Sequence, residues 1–266
     1  MATPTCSGSG SIGRISVTDG LRSGLNSADS STLLKSARAT TTVAIDVGTY
    51  GSGFAYVISP PNENARPTIK VHTDWPDRAA AGAVGTAAGS SAEAPQSEVR
   101  YPKTRSALLL RGGKGVAFGW TAVRMFCEMN NQERTDGRYY LVYGEDFKLG
   151  LQDPGRVGAG RLPEGVSPES AFTEFLRLMK VYILEQLLQR SARDVGTAPA
   201  ASAASVSATA RGMIRWCLTV PALWSDEAKG KVRRAAHRAA LITKLDSDEL
   251  TVVLEPEAAA LQVSVG

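Results

Sequence analysis

Between residues 41 and 53 the chain reads Thr-Thr-Val-Ala-Ile-Asp-Val-Gly-Thr-Tyr-Gly-Ser-Gly. That order leaves little choice of local structure. Thr41 to Ile45 are residues that favour a pleated, buried strand, and the glycines at 48, 51 and 53 let the chain reverse. Phe54 to Ser59 then supplies a returning strand, so a hairpin is expected. The turn also carries chemistry. Asp46 places a carboxylate at the end of the strand, and Gly48 and Gly51 let backbone N–H groups approach phosphate oxygens. Thr49 and Ser52 can add hydroxyl donors, and the carboxylate can hold the water shell of a magnesium ion. Taken alone, the same residues more often describe an ordinary Gly-rich hairpin turn with Asp as a turn residue.

At 266 residues, 43% hydrophobic and 21% charged, the chain can bury one large core or two small ones. Charged residues interrupt every apolar segment well short of the roughly 20 residues a membrane span needs, so no spanning helix is expected. The net charge is +4, and basic residues cluster only at Lys229, Lys231, Arg233, Arg234 and Arg238. On a helix these lie around the solvated side, while Ala228, Val232, Ala235 and Ala239 form the buried stripe, so no nucleic-acid partner is expected. Cys6, Cys127 and Cys217 are too few and too scattered for a disulfide framework or a zinc site, which fits a reducing, cytoplasmic location. Residues 1–40 are rich in Ser, Thr and Gly, with four basic residues against two acids. They read as a disordered tail, with an organelle transit peptide as the alternative.

Further along, a third strand is expected around Thr68 to Thr73, and a low-complexity loop at 79–96. Strands at Ala107 to Leu110 and Val116 to Phe118 flank a turn at Arg111 to Lys114, and a helix runs from Trp120 to Met129. Phe172, Phe175, Leu176, Met179, Ile183 and Leu187 recur at three- and four-residue steps, marking a helix from Pro168 to about Arg190. A second low-complexity loop at 197–210 leads to a strand at Ile214 to Val220, then a helix from Ser225 to Leu241 with Ser225 as N-cap. The last strand, Leu250 to Leu254, ends at Glu255-Pro256, and a helix is expected from Glu257. Strand, helix, strand, helix in that order implies a parallel pair in an α/β sheet. Gly8 to Gly13 matches G-x-G-x-x-G with no strand before it or helix after it, and Gly112 to Gly115 lacks the spacing of a P-loop.

Two more stretches are informative: Leu218-Thr219-Val220-Pro221-Ala222-Leu223-Trp224 and Leu254-Glu255-Pro256-Glu257-Ala258-Ala259. With the Asp46 segment, Phe118-Gly119-Trp120-Thr121-Ala122 and Phe147-Lys148-Leu149, they occur in an order that resembles the seventy-kilodalton heat-shock chaperone superfamily. The likeness is to its divergent 12A/12B branch and covers roughly residues 41 to 264. It implies an α/β fold of the actin-like (ribonuclease H-like) kind, a mixed sheet with flanking helices, holding ATP and Mg2+ between two lobes. By motif position, Asp46 would hold the magnesium through water, and Gly48, Thr49, Tyr50 and Gly51 would lie at the phosphates. Lys148 would neutralise charge on the transferred phosphoryl group, Glu255 would orient water or metal, and Pro221 would sit at a hinge reporting nucleotide state to a client-binding region. Client proteins, co-chaperones and a stress-response role follow from the same resemblance.

Two departures stand against it. Tyr50 replaces the second hydroxyl residue usual in the family, and no D-x-G-G-G-T motif, adenosine-contacting segment or second connecting helix appears. The expectation is therefore an N-terminal lobe, residues 41–266, of an incomplete nucleotide-binding domain that binds ATP weakly and hardly turns it over. A non-catalytic interaction module that keeps the fold is the first alternative. A sugar kinase of the same fold is the second, although the Thr219-Val220-Pro221 and Glu255-Pro256 segments favour the chaperone branch. All of this requires the Asp46 turn and the Glu255 corner to converge from one side.

Overall fold

Val43, Ile45 and Val47 alternate along strand β1 (Thr41–Val47), and all three are buried, as a half-covered strand requires. The computed structural model describes residues 41–58, 68–77, 101–158, 161–195 and 214–265. The expected tail at 1–40 and the loops at 79–96 and 197–210 lie outside the described residues. β1 turns back into β2 (Gly51–Ile58), antiparallel, with Val47 opposite Ser52, as the hairpin reading expects.

β3 (Lys70–Val71) pairs with β2, and it is shorter than the expected strand at 68–73. Just past it the His72 N–H still donates to the Phe54 carbonyl of β2 at 3.1 Å, and the His72 ring stacks on Phe54 and meets Trp75 and Tyr182 edge-on. β4 (Thr104–Arg105) also pairs with β2, beside the turn. β5 (Ala107–Arg111) and β6 (Lys114–Phe118) form the second hairpin, with Gly112 and Gly113 both at positive φ in its two-residue turn. Helix α1 (Gly119–Glu128) and the short α2 (Asn131–Thr135) lead to β7 (Tyr139–Tyr143), which pairs with the other side of β5. Two four-residue helices, α3 (Gly144–Phe147) and α4 (Leu149–Gln152), come before the long α5 (Pro168–Val195).

β8 (Ile214–Val220) returns parallel to β1, α6 (Asp226–Arg238) follows it, and β9 (Leu250–Leu254) lies parallel to β8. α7 (Glu255–Val265) begins at Glu255 itself, two residues earlier than expected. Pro256 tolerates this, because the N–H it lacks would be unsatisfied in a first helical turn anyway. The main sheet therefore has the order β3-β2-β1-β8-β9 and is mixed, with an antiparallel half and a parallel half.

The main core gathers against α5, where Phe175, Leu176, Met179 and Ile183 are fully buried. Leu108, Leu110 and Val142 join that core from one face of the β6-β5-β7 sheet, while Ala107, Leu109 and Ala117 pack on Ala122 of α1 from the other. Ala228, Val232 and Ala235 on α6 and Ala239 at its C-cap are buried, as expected, but the basic cluster is not simply solvated. Arg234 and Arg238 bracket Glu169 of α5, Arg233 donates to the carbonyls of Leu245, Ser247 and Leu250, and Lys231 donates to that of Leu151. Carbonyls left over at chain bends and a facing glutamate give these cations local partners that a helical wheel cannot reveal. No described helix is long and apolar enough to cross a membrane.

Candidate functional site

β1 and β8 run parallel with Ile45 beside Leu218, so the next residues along, Asp46 and Thr219, meet side chain to side chain. The Thr219 hydroxyl donates to Asp46 Oδ1 at 2.8 Å, and the Lys103 ammonium donates to Oδ2 at 2.7 Å. Both oxygens of the carboxylate are therefore engaged.

The turn after Asp46 is held from outside by Ser106. Its buried hydroxyl donates to the Gly48 carbonyl at 2.6 Å and lies 2.8 Å from the Ser52 hydroxyl, while its N–H donates to the Tyr50 carbonyl at 3.1 Å. Ser106 is gripped in turn by the Gly144 N–H, 2.7 Å from its carbonyl. Within the turn the chain folds so tightly that a Cβ on Gly48 would collide with the Gly51 carbonyl oxygen. Tyr50 stands on the rim, 66% exposed, and is too open to occupy the space beneath.

Lys148 links α3 to α4, and its residue is only 4% exposed, so it is no solvated surface lysine. Its ammonium donates to Glu255 Oε1 at 2.8 Å and lies 5.9 Å from the Trp224 ring centroid. Nearby, burial pushes the Asp146 carboxyl above its usual range, and the Tyr143 N–H and the Arg161 guanidinium pull it back. Glu255 reaches Lys148 because β9 passes into α7 with no intervening loop.

These groups line one open cleft of about 810 Å³, walled by the 48–51 turn, the 101–105 segment, Lys148, Thr219 and the first turns of α7. Its charged lining comprises Lys103, Arg105 and Lys148 against Asp46 and Glu255, three cations to two carboxylates. Such a lining suits an anionic ligand. Arg105 is set between aromatic faces, 5.7 Å from the Trp120 centroid and 5.8 Å from that of Tyr143. Of the residues singled out from sequence, Asp46, Gly48, Thr49, Tyr50, Gly51, Lys148 and Glu255 all border this cleft. Pro221 does not; it caps the end of β8, its carbonyl accepting from the Trp224 N–H at 3.2 Å. Lys103, Arg105, Ser106 and the Asp46 contact of Thr219 escape sequence reasoning. The available signal is the basic spacing in Tyr101-Pro102-Lys103-Thr104-Arg105, and nothing local says which strand that run joins.

No protein-family model matches the chain. Over 225 residues, 82% of its length, it is 27% identical to the human heat shock 70 kDa protein 12B. It is also 27% identical to the human and mouse heat shock 70 kDa proteins 12A over 221 residues. The chain is thus similar to the divergent 12A/12B heat-shock proteins. The chain spans about a quarter of the length of the curated proteins it matches, 27% of the 12B protein and 28% of each 12A protein.

Proposed function

We propose that this chain is the ATP-binding lobe of an actin-like chaperone ATPase. One observation carries the reading: Lys148 and Glu255, 107 residues apart in sequence, close a salt bridge on the wall of the cleft that also contains the Asp46 turn. In this reading the backbone N–H groups of Gly48, Thr49 and Gly51 cradle the β- and γ-phosphates, with Tyr50 at the rim. Lys148, held in a dry setting by Trp224, neutralises charge on the transferred phosphoryl group, and Glu255 exchanges Lys148 for the attacking water. Pro221, just past the end of β8, relays nucleotide state. Client proteins and co-chaperones belong to the same proposal, as does a cytoplasmic site of action.

In this reading the phosphate chain lies in the cradle, whereas the magnesium that the resemblance implies at Asp46 does not fit the groups around that carboxylate. Both carboxylate oxygens already accept hydrogen bonds, one of them from an ammonium that would repel a divalent ion. Among the described residues no cluster of three or more His, Cys, Asp or Glu side chains gathers elsewhere to hold a metal.

A second reading, a non-catalytic interaction module, is favoured by the Lys148–Glu255 pair itself, which ties both catalytic candidates to each other. Titration with a ribose-labelled fluorescent ATP analogue, followed by a phosphate-release assay, separates the cases. Saturable binding that weakens about tenfold in Lys148→Met supports the cleft as the ATP site, since a charge-assisted contact is worth about that much. No saturable binding, or a Lys148→Met variant equal to wild type, contradicts it. Binding without phosphate release selects the module.

A further inference from the structure

Lys103 stands one residue before β4, which pairs with β2 so that Arg105 lies opposite Gly51 and Thr104 opposite Ser52. Its aliphatic stem crosses a bare stretch of β2. A Cβ on Gly51 would lie 3.4 Å from Lys103 Cβ and Cδ, and one on Gly53 would lie 3.4 Å from Lys103 Cγ and collide with the Pro102 carbonyl oxygen. Two glycines on the same face of the strand therefore leave the track along which the ammonium reaches Asp46. The resulting pair is 40% exposed at the lysine side chain and 36% at the aspartate, facing the cleft. Ion pairs this open contribute little to stability, so the fold gains little from an arrangement that two glycines, a strand pairing and the Thr219 hydroxyl all serve.

We infer that Lys103 is a tethered counter-cation that takes the place beside Asp46 of a hydrated divalent metal, so that the cleft binds a polyphosphate without magnesium. The inference rests on the nucleotide reading of the same cleft and adds its metal requirement. An ammonium has three donors. One is given to Asp46, and the others can reach phosphate oxygens laid against the 48–51 turn. Arg105, oriented by the Trp120 and Tyr143 rings, adds a second fixed positive charge from the same segment. A divalent ion arriving at Asp46 must either take the place of the tethered ammonium or sit next to it, where the two positive charges repel.

The test is the affinity of the whole chain for the ribose-labelled ATP analogue in excess magnesium and in excess EDTA. It compares wild type, Lys103→Met and Lys103→Arg, with melting temperatures recorded to verify folding. The wild-type dissociation constant is expected to change by less than about threefold when the metal is chelated. In EDTA, Lys103→Met should bind about tenfold more weakly, the loss of one charge-assisted contact, and magnesium should restore part of that loss. Lys103→Arg keeps the cation and should retain metal-free binding. A wild type that loses about tenfold or more in EDTA, or a folded Lys103→Met that matches wild type there, overturns the inference and leaves the nucleotide site standing. Absence of saturable binding by folded wild type in both buffers removes the nucleotide reading itself, and the inference with it.

Discussion

A methyl group on Gly48 has nowhere to go, because the Gly51 carbonyl oxygen already fills the space. Gly48→Ala must open the turn, and overpacking of this kind costs about 1–3 kcal/mol, readable from urea denaturation. The same variant should lose binding of the ATP analogue, since the turn is also the phosphate cradle. His72 offers a different residue-scale test. Its ring is buried against Phe54, Trp75 and Tyr182, with Nε2 2.9 Å from the Tyr182 hydroxyl, which itself donates to the Asp74 carbonyl. Burial lowers the His72 pKa below 6.5; the backbone hydrogen bond and charge of Asp74 oppose the shift, and Arg190 reinforces it. Above 6.5 the imidazole is neutral folded and unfolded, and nothing is lost. As pH falls below 6.5 the unfolded chain takes up the proton first, so stability declines until the folded ring's own lower pKa is reached. Urea midpoints measured from pH about 7.5 down to about 5 should show this decline, and His72→Gln should flatten it.

At the scale of elements, α5 and α6 carry contrasting kinds of stability. Phe175, fully buried on α5 and stacked on Phe147, should cost about 3–5 kcal/mol when cut to alanine. Ser225 caps α6 by accepting the Ala228 N–H, and its alanine variant should cost about 1 kcal/mol. Equilibrium unfolding of the two variants checks the ratio. Both elements were open to sequence reasoning because helical spacing and a hydroxyl cap are local signals. β7 was not: Tyr139, Leu141 and Tyr143 pack toward α1 while Tyr140 and Val142 face the main core, so its two apolar faces erase any alternation. α3 and α4, at four residues each, are too short to show a period. The candidate site divides in the same way. Asp46, Lys148 and Glu255 belong to ordered motifs, whereas the partners of Asp46 depend on the β4–β2 and β1–β8 registers, which no stretch of sequence states.

For the molecule as a whole, the cleft draws its walls from segments that share no local structure: the first hairpin, the 101–105 segment, the α3–α4 junction and the start of α7. A ligand that binds there should slow amide hydrogen exchange in all four together, because each closes over the same occupant. Exchange at the Gly112-Gly113 turn, which does not line the cleft, should change little. Protection confined to the first hairpin would mean that the ligand touches the turn alone. The clasp of Ser106 on Gly48, Tyr50 and Ser52 bears on anyone who would transplant the loop into another scaffold. Cut out between its two strands, it would leave behind the fastener that sets its curvature, supplied from 58 residues downstream. The portable unit is the loop together with the strand edge that grips it.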